Sequence, residues 1–232
     1  MKKILVFCLV FILTLSMSSA LAAGKLSVEQ ENFHVISSYS LYGYAYAKVT
    51  NVGDKPIVVN TALLEVFNAD GDALTSTDYF SDYAKYLQPD EYTYVRIMDE
   101  IEDVEASDVD DYMLTITGKA DSDYITQRFP CTTSYEPNVK EGYSTSNYMY
   151  ATFTNDTDET VYGISAVLAL LDADGNILYM DDDDLYSERG LTPGSSITLR
   201  KAVSSSFIEY FENNGLVPAT VDAIVYAYVR QN

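Results

Sequence analysis

Three kinds of side chain are nearly missing from this 232-residue sequence: it has no tryptophan, one histidine and two cysteines. Each shortage closes a route. With His34 alone, a Ser-His-Asp or Cys-His catalytic arrangement has a single place to form. That place is the apolar run Phe33-His34-Val35-Ile36, where a packed histidine is the plainer reading. No histidine cluster or cysteine pair offers a zinc site, and no glycine-rich phosphate loop occurs. Basic residues are also scarce, with 14 Lys and Arg against 35 Asp and Glu. Without Lys/Arg clusters, nucleic acid and anionic lipid surfaces are poor partners. A small extracellular hydrolase built on paired carboxylates stays open only because acids are abundant.

Long apolar runs are lacking as well. The one that exists, Ile4 to Leu15, follows Lys2-Lys3 and leads to Ala20-Leu21-Ala22. A basic head, a dozen apolar residues and an A-x-A site make a secretory signal peptide. The run is short for a bilayer core of roughly 30 Å. The expectation is a leader over residues 1–23, cleaved near Ala22/Ala23, no membrane span in the mature chain, and a protein that is secreted or held at the cell surface. Phe7 precedes Cys8, whereas lipidation needs a small residue there. Loss of Cys8 with the leader leaves Cys131 alone, so no internal disulfide is expected. Two of the 14 basic residues leave with it too, and 12 against 35 acids is a net charge of −23.

What is present is a repeat. Displaced by 104 residues, 39–96 matches 143–200 without gaps at 18 of 58 positions. Tyr44/Tyr148, Tyr46/Tyr150, Asn51/Asn155, Ala69-Asp70-Gly71/Ala173-Asp174-Gly175, Leu87/Leu191 and Pro89/Pro193 are among them. A second register aligns Val109–Thr117 with Val221–Val229, which implies an insertion of about eight residues near 202–217 in the later copy. Within each copy the period is two: Tyr44-Ala45-Tyr46-Ala47-Lys48-Val49, Tyr148-Met149-Tyr150-Ala151-Thr152-Phe153 and Ile224-Val225-Tyr226-Ala227-Tyr228-Val229 all alternate. Strands are expected over Ile57–Phe67, Val161–Leu171, 92–97 and 196–202. Asp-Gly turns, suited to the positive φ of a type I′ hairpin, close the longer ones. Strands at this spacing build an antiparallel β-sandwich, so the chain is expected to be all-β, with two sandwiches at 24–131 and 132–232. Pro130 to Asn138 reads as a linker or an edge strand. Ser206 to Asn214 reads as a short helix capped by Ser206 and ended by Gly215. Ala45, Ala47, Val49 and Met149, Ala151, Phe153 should face the cores, leaving Tyr44, Tyr46, Tyr148 and Tyr150 on the outer faces.

Lys48-Val49-Thr50-Asn51 and Thr152-Phe153-Thr154-Asn155, the apolar strands running into Asp-Gly, and the Leu-x-Pro turns resemble the FxLYD-type modules of secreted and surface proteins of Gram-positive bacteria. The resemblance covers about 60 residues of each copy. It implies an immunoglobulin-like sandwich, an extracellular location and a binding or structural role, without catalytic residues.

Two constellations then stand out. Tyrosine offers a broad apolar face with a polar tip, so Tyr44, Tyr46, Tyr148, Tyr150, Tyr226 and Tyr228 are candidate contacts for a protein or glycan; alternatively they pair across strands and only stabilise the sheets. Asp172, Asp174 and Asn176, with Asp181, Asp182, Asp183 and Asp184, gather hard oxygen ligands of the kind Ca²⁺ takes. Their glycine falls at the fourth position, not the sixth of an EF-hand, and the first copy keeps the turn without the acid run. No other cofactor is suggested. The leading expectation is a non-enzymatic binding or structural module, with a Ca²⁺-dependent surface protein as the alternative.

Overall fold

The computed structural model describes residues 25–185 and 189–230; the leader falls outside them. In the first copy, β1 (Leu26–Ser37), β2 (Leu41–Asn51), β5 (Phe80–Asp82) and β6 (Tyr92–Glu100) form one sheet in the order β1-β2-β6-β5. The facing sheet is β4-β3-β7, from β3 (Ile57–Phe67), β4 (Ala73–Thr77) and β7 (Asp111–Ala120). Every pairing is antiparallel. Alternation along β2 sends Ala45, Ala47 and Val49 inward, where they meet Val95 and Ile97 of β6 and Val59, Ala62, Leu64 and Val66 of β3.

The second copy repeats the plan. Strands β9 (Cys131–Glu141), β10 (Ser144–Thr154) and β13 (Ser196–Val203) form one sheet in the order β13-β10-β9. The other is β12-β11-β14-β8, from β8 (Tyr124–Phe129), β11 (Ser165–Leu171), β12 (Ile177–Asp184) and β14 (Thr220–Arg230). Met149, Ala151 and Phe153 point into its core, as expected. The chain is thus all-β, two tandem antiparallel sandwiches. No helix among the described residues is long and apolar enough to cross a membrane.

The repeated turns are built alike. At the end of β2 the buried Asn51 amide donates to the carbonyls of Lys55 (2.8 Å) and Leu87 (3.0 Å), and its oxygen accepts from Gly53 N–H at 2.9 Å. Asn155 binds Glu159, Leu191 and Thr157 in the same way. Both asparagines tie the end of one strand to the Leu-x-Pro turn, where Ile57 bridges Leu87 and Val161 bridges Leu191.

Several expectations need correction. Tyr124–Phe129, assigned to the first unit by a division after Cys131, is hydrogen-bonded to β14, so the chain passes between units at 121–123. Of the two readings of Pro130 to Asn138, the edge strand is the one found: β9 runs from Cys131 along the edge of its sheet. Val161 makes only its isolated bridge, and the strand begins at Ser165, after the left-handed Gly163. In the Asp-Gly turns only Gly71 and Gly175 take positive φ, and the neighbouring strands slip by one residue, a bulged turn rather than type I′. The inserted helix, α1 (Ser205–Asn214), has Ser204 at its N-cap, and Gly215 ends it at φ 66°.

Candidate functional site

Alternation that sends small residues inward on β2 sends Tyr44, Tyr46 and Lys48 outward, and the pairing of β2 with β6 places Tyr94 and Arg96 beside them. In a lone sandwich this face would meet water. Here the second unit lies on it, and Tyr46 and Tyr94 are both 0% exposed. β12 and β14 lie across it, and α1 adds Phe207, whose ring meets Tyr44 and Tyr179, each at 4.8 Å between centroids. Aromatic packing of this kind supplies most of an interface's apolar burial.

Polar contacts fix the docking. Gln30 and Asn32 donate to the carbonyls of Gly175 (3.0 Å) and Ile177 (2.8 Å). Tyr94 donates to Asp222 at 2.6 Å and Tyr92 to the same carboxylate at 3.1 Å. Burial, then the charge of Asp222, pushes the Tyr92 phenol up to about 12 and Tyr94 higher still, so both remain donors at neutral pH. Arg96 reaches Asp181 at 3.0 Å and Asp182 at 3.7 Å. Burial opposes the Arg96 charge, but Tyr83, Asp181 and Asp182 outweigh it and raise its pKa. His34 is enclosed by Tyr46, Phe207, Tyr210 and Phe211 near the Ile177 carbonyl, and burial lowers its pKa.

Beside Arg96 the units do not meet completely. A cleft of about 330 Å³ remains, walled by Tyr44, Tyr79, Tyr179 and Phe207, with Arg96 and Asp181 as its charged pair. Tyr46 also lines it, and its hydroxyl is buried with no hydrogen-bond partner among the described residues.

The expected tyrosines therefore divide. Tyr44 and Tyr46 are in the inter-unit contact instead of on an open face. Tyr226 and Tyr228 border the same contact, where Lys85 N–H donates to the Tyr228 hydroxyl at 3.4 Å and the Tyr86 ring meets Tyr228 edge-on at 5.4 Å. Tyr148 and Tyr150 lie apart, on the outer face of β13-β10-β9. Tyr148 is buried beneath the Arg200 guanidinium, 4.4 Å above its ring, and donates to Glu141 at 2.8 Å; Arg200 also pairs with Glu141. Tyr150 is half-exposed beside them.

The candidate calcium ligands do not converge. Asp172 accepts from the N–H groups of Asp174 and Asn176 and from the Asn176 amide, closing the turn as Asn68 does in the first copy. Asp181 is held by Arg96, Lys201 and Tyr179, and Asp183 accepts from the Arg200 N–H. Among the described residues no group of three or more metal-capable side chains gathers.

No family model matches the chain, and no curated protein matches it. A solved structure of the infectious bursal disease virus Gt strain overlaps it at 8% identity over 92% of this chain and 68% of that one. Its TM-score is 0.20, too low to bear on the fold.

Sequence reasoning missed Arg96, Asp222, Tyr92 and Tyr94. One signal was available. Arg96 and Arg200 are identical in the 104-residue register, so each copy carries the same outward Tyr-x-Tyr and arginine.

Proposed function

We propose that the chain is an exported, non-enzymatic interaction protein, with the outer face of the second unit's β13-β10-β9 sheet as its contact surface. One observation carries this. Tyr44, Tyr46 and Arg96 grip a surface of aspartates flanked by aromatic rings, and their repeat counterparts Tyr148, Tyr150 and Arg200 lie on a face where Ser134, Glu136, Thr198 and Arg200 are exposed. The partner surface that suits it has the same chemistry, a carboxylate pair beside an aromatic side chain on another protein. The leader pattern and the FxLYD-type turns support an extracellular setting. The enclosure of His34 by aromatic rings supports the non-enzymatic reading.

The test compares the wild type with the double variant Tyr150→Ala, Arg200→Gln. The double variant gives up a half-exposed ring, a surface ion pair to Glu141 and the stacking on Tyr148, each of which contributes little at a solvent-exposed site, so the thermal midpoint should fall by only a few degrees and the variant should stay folded. Immobilised wild type, incubated with the native extracellular milieu, should capture an acidic protein that the variant fails to retain. If both proteins capture the same set, the face is not a contact surface.

A further inference from the structure

We propose that the acidic partner of the second unit's outer sheet is another copy of this chain, docked through the first unit's β4-β3-β7 sheet. The inference rests on the contact surface argued above and names what occupies it. Within one chain, the joint sets the outer face of β2 and β6 against the outer face of β12-β11-β14. Each of those faces has a counterpart that the joint leaves uncovered. The 104-residue repeat makes β10 and β13 the equivalents of β2 and β6, and β3 and β4 the equivalents of β11 and β12. Strand pairing agrees, since Leu64 lies opposite Thr77 as Leu168 lies opposite Asp181. The two uncovered faces differ from each other, so copies joined through them run head to tail instead of closing as a symmetric pair.

The repeat also pairs the charges. Arg96 takes two carboxylates in the joint, Asp181 at 3.0 Å and Asp182 at 3.7 Å. Its counterpart Arg200 holds Glu141 at a rim where the two side chains are 45% and 42% exposed. A guanidinium with five donors can take a second carboxylate there, as Arg96 does. The residue equivalent to Asp182 is Asp78, an exposed aspartate just past β4. On the outer face of the same sheet, Glu65 stands between Ser76 and Met113, and Phe67 lies opposite Asp111. Leu63 and Phe67 are partly exposed and Met113 is 49% exposed, which gives the face apolar area to bury. The first unit has no counterpart of α1, so this contact lacks the Phe207 ring, and it forms between strongly acidic chains. Both features make the association weak, with a Kd on the order of 100 µM.

The experiment is sedimentation of the mature chain from roughly 10 µM to 1 mM, in about 0.15 M salt to screen the net charge. The average mass should climb past that of a dimer without a plateau. Arg200→Glu and Asp78→Arg, both at exposed positions, should each hold the chain at monomer mass with an unchanged circular dichroism spectrum. Mixing the two variants should restore assembly, because each supplies the charge that the other lacks. A monomer at the highest concentration, a plateau at the dimer, or single variants that assemble like the wild type overturns the inference, as does a mixture that stays monomeric. Capture of a different acidic protein by the wild type, lost in Tyr150→Ala, Arg200→Gln and unaccompanied by self-assembly, would keep the contact surface and remove only the second copy as its partner.

Discussion

His34 shows how one side chain can report on the joint between the units. Its imidazole is surrounded by four aromatic rings and touches one carbonyl, at 3.4 Å, so burial depresses its pKa below the ordinary 6.5. The unfolded chain therefore takes up the proton first as pH falls. Stability is complete above pH 6.5 and declines on acidification below it, until the folded form protonates too. Because the sequence has no second histidine, the slope between pH 7 and 5 belongs to this residue, ahead of the carboxylates. Urea midpoints across that range should fall for the wild type, at up to about 1.4 kcal/mol per pH unit, and stay level for His34→Phe. An equal fall in both would place the titration elsewhere.

Strands and turns were legible in the sequence where each obeys a local rule. Alternation in Tyr44–Val49 gave the inward face of β2, and Asn51, Gly71 and Pro89 marked turns that the structure builds twice. The inter-unit contact was not legible, because an outer face covered by another sandwich has the same period of two as one facing water. Tyr92, Tyr94 and Arg96 satisfy the strand pattern either way. The same holds for Asp181 and Asp182, whose crowding of oxygens suggested Ca²⁺ when what they meet is a guanidinium from the other unit. The insertion was visible, but not that α1 would carry Phe207 across the joint. Repeat positions separate the two situations experimentally. Asp222 and Asp110 correspond in the second register, yet Asp222 accepts from Tyr92 and Tyr94 while Asp110 is exposed. Asp222→Ala leaves both hydroxyls without their acceptor and should cost about 1–3 kcal/mol. Asp110→Ala should stay within roughly 0.5 kcal/mol. Chemical denaturation of the two variants side by side measures the difference, and equal losses would show that the contact adds nothing.

For the molecule as a whole, the decisive feature is that one apolar cluster runs from the second sandwich into the joint. It joins Met149, Phe153 and Leu168 to Phe207 and on to Tyr46 and Tyr94 of the first copy, while the first sandwich keeps a separate interior around Leu64 and Ile97. Such coupling makes the units unfold together: opening one exposes Tyr46, Tyr94 and Phe207 and breaks the contacts to Asp181 and Asp222. Circular dichroism and tyrosine emission should then report one coincident transition in urea. Phe207→Ala removes a fully buried ring on the joint, a change that costs about 3–5 kcal/mol in well-packed sites. Because Phe207 also belongs to the second unit, that unit should unfold first in the variant, ahead of a first unit whose own interior is intact, and the single transition should separate into two. Two transitions already present in the wild type would mean that the sandwiches fold independently and that the joint adds little to either.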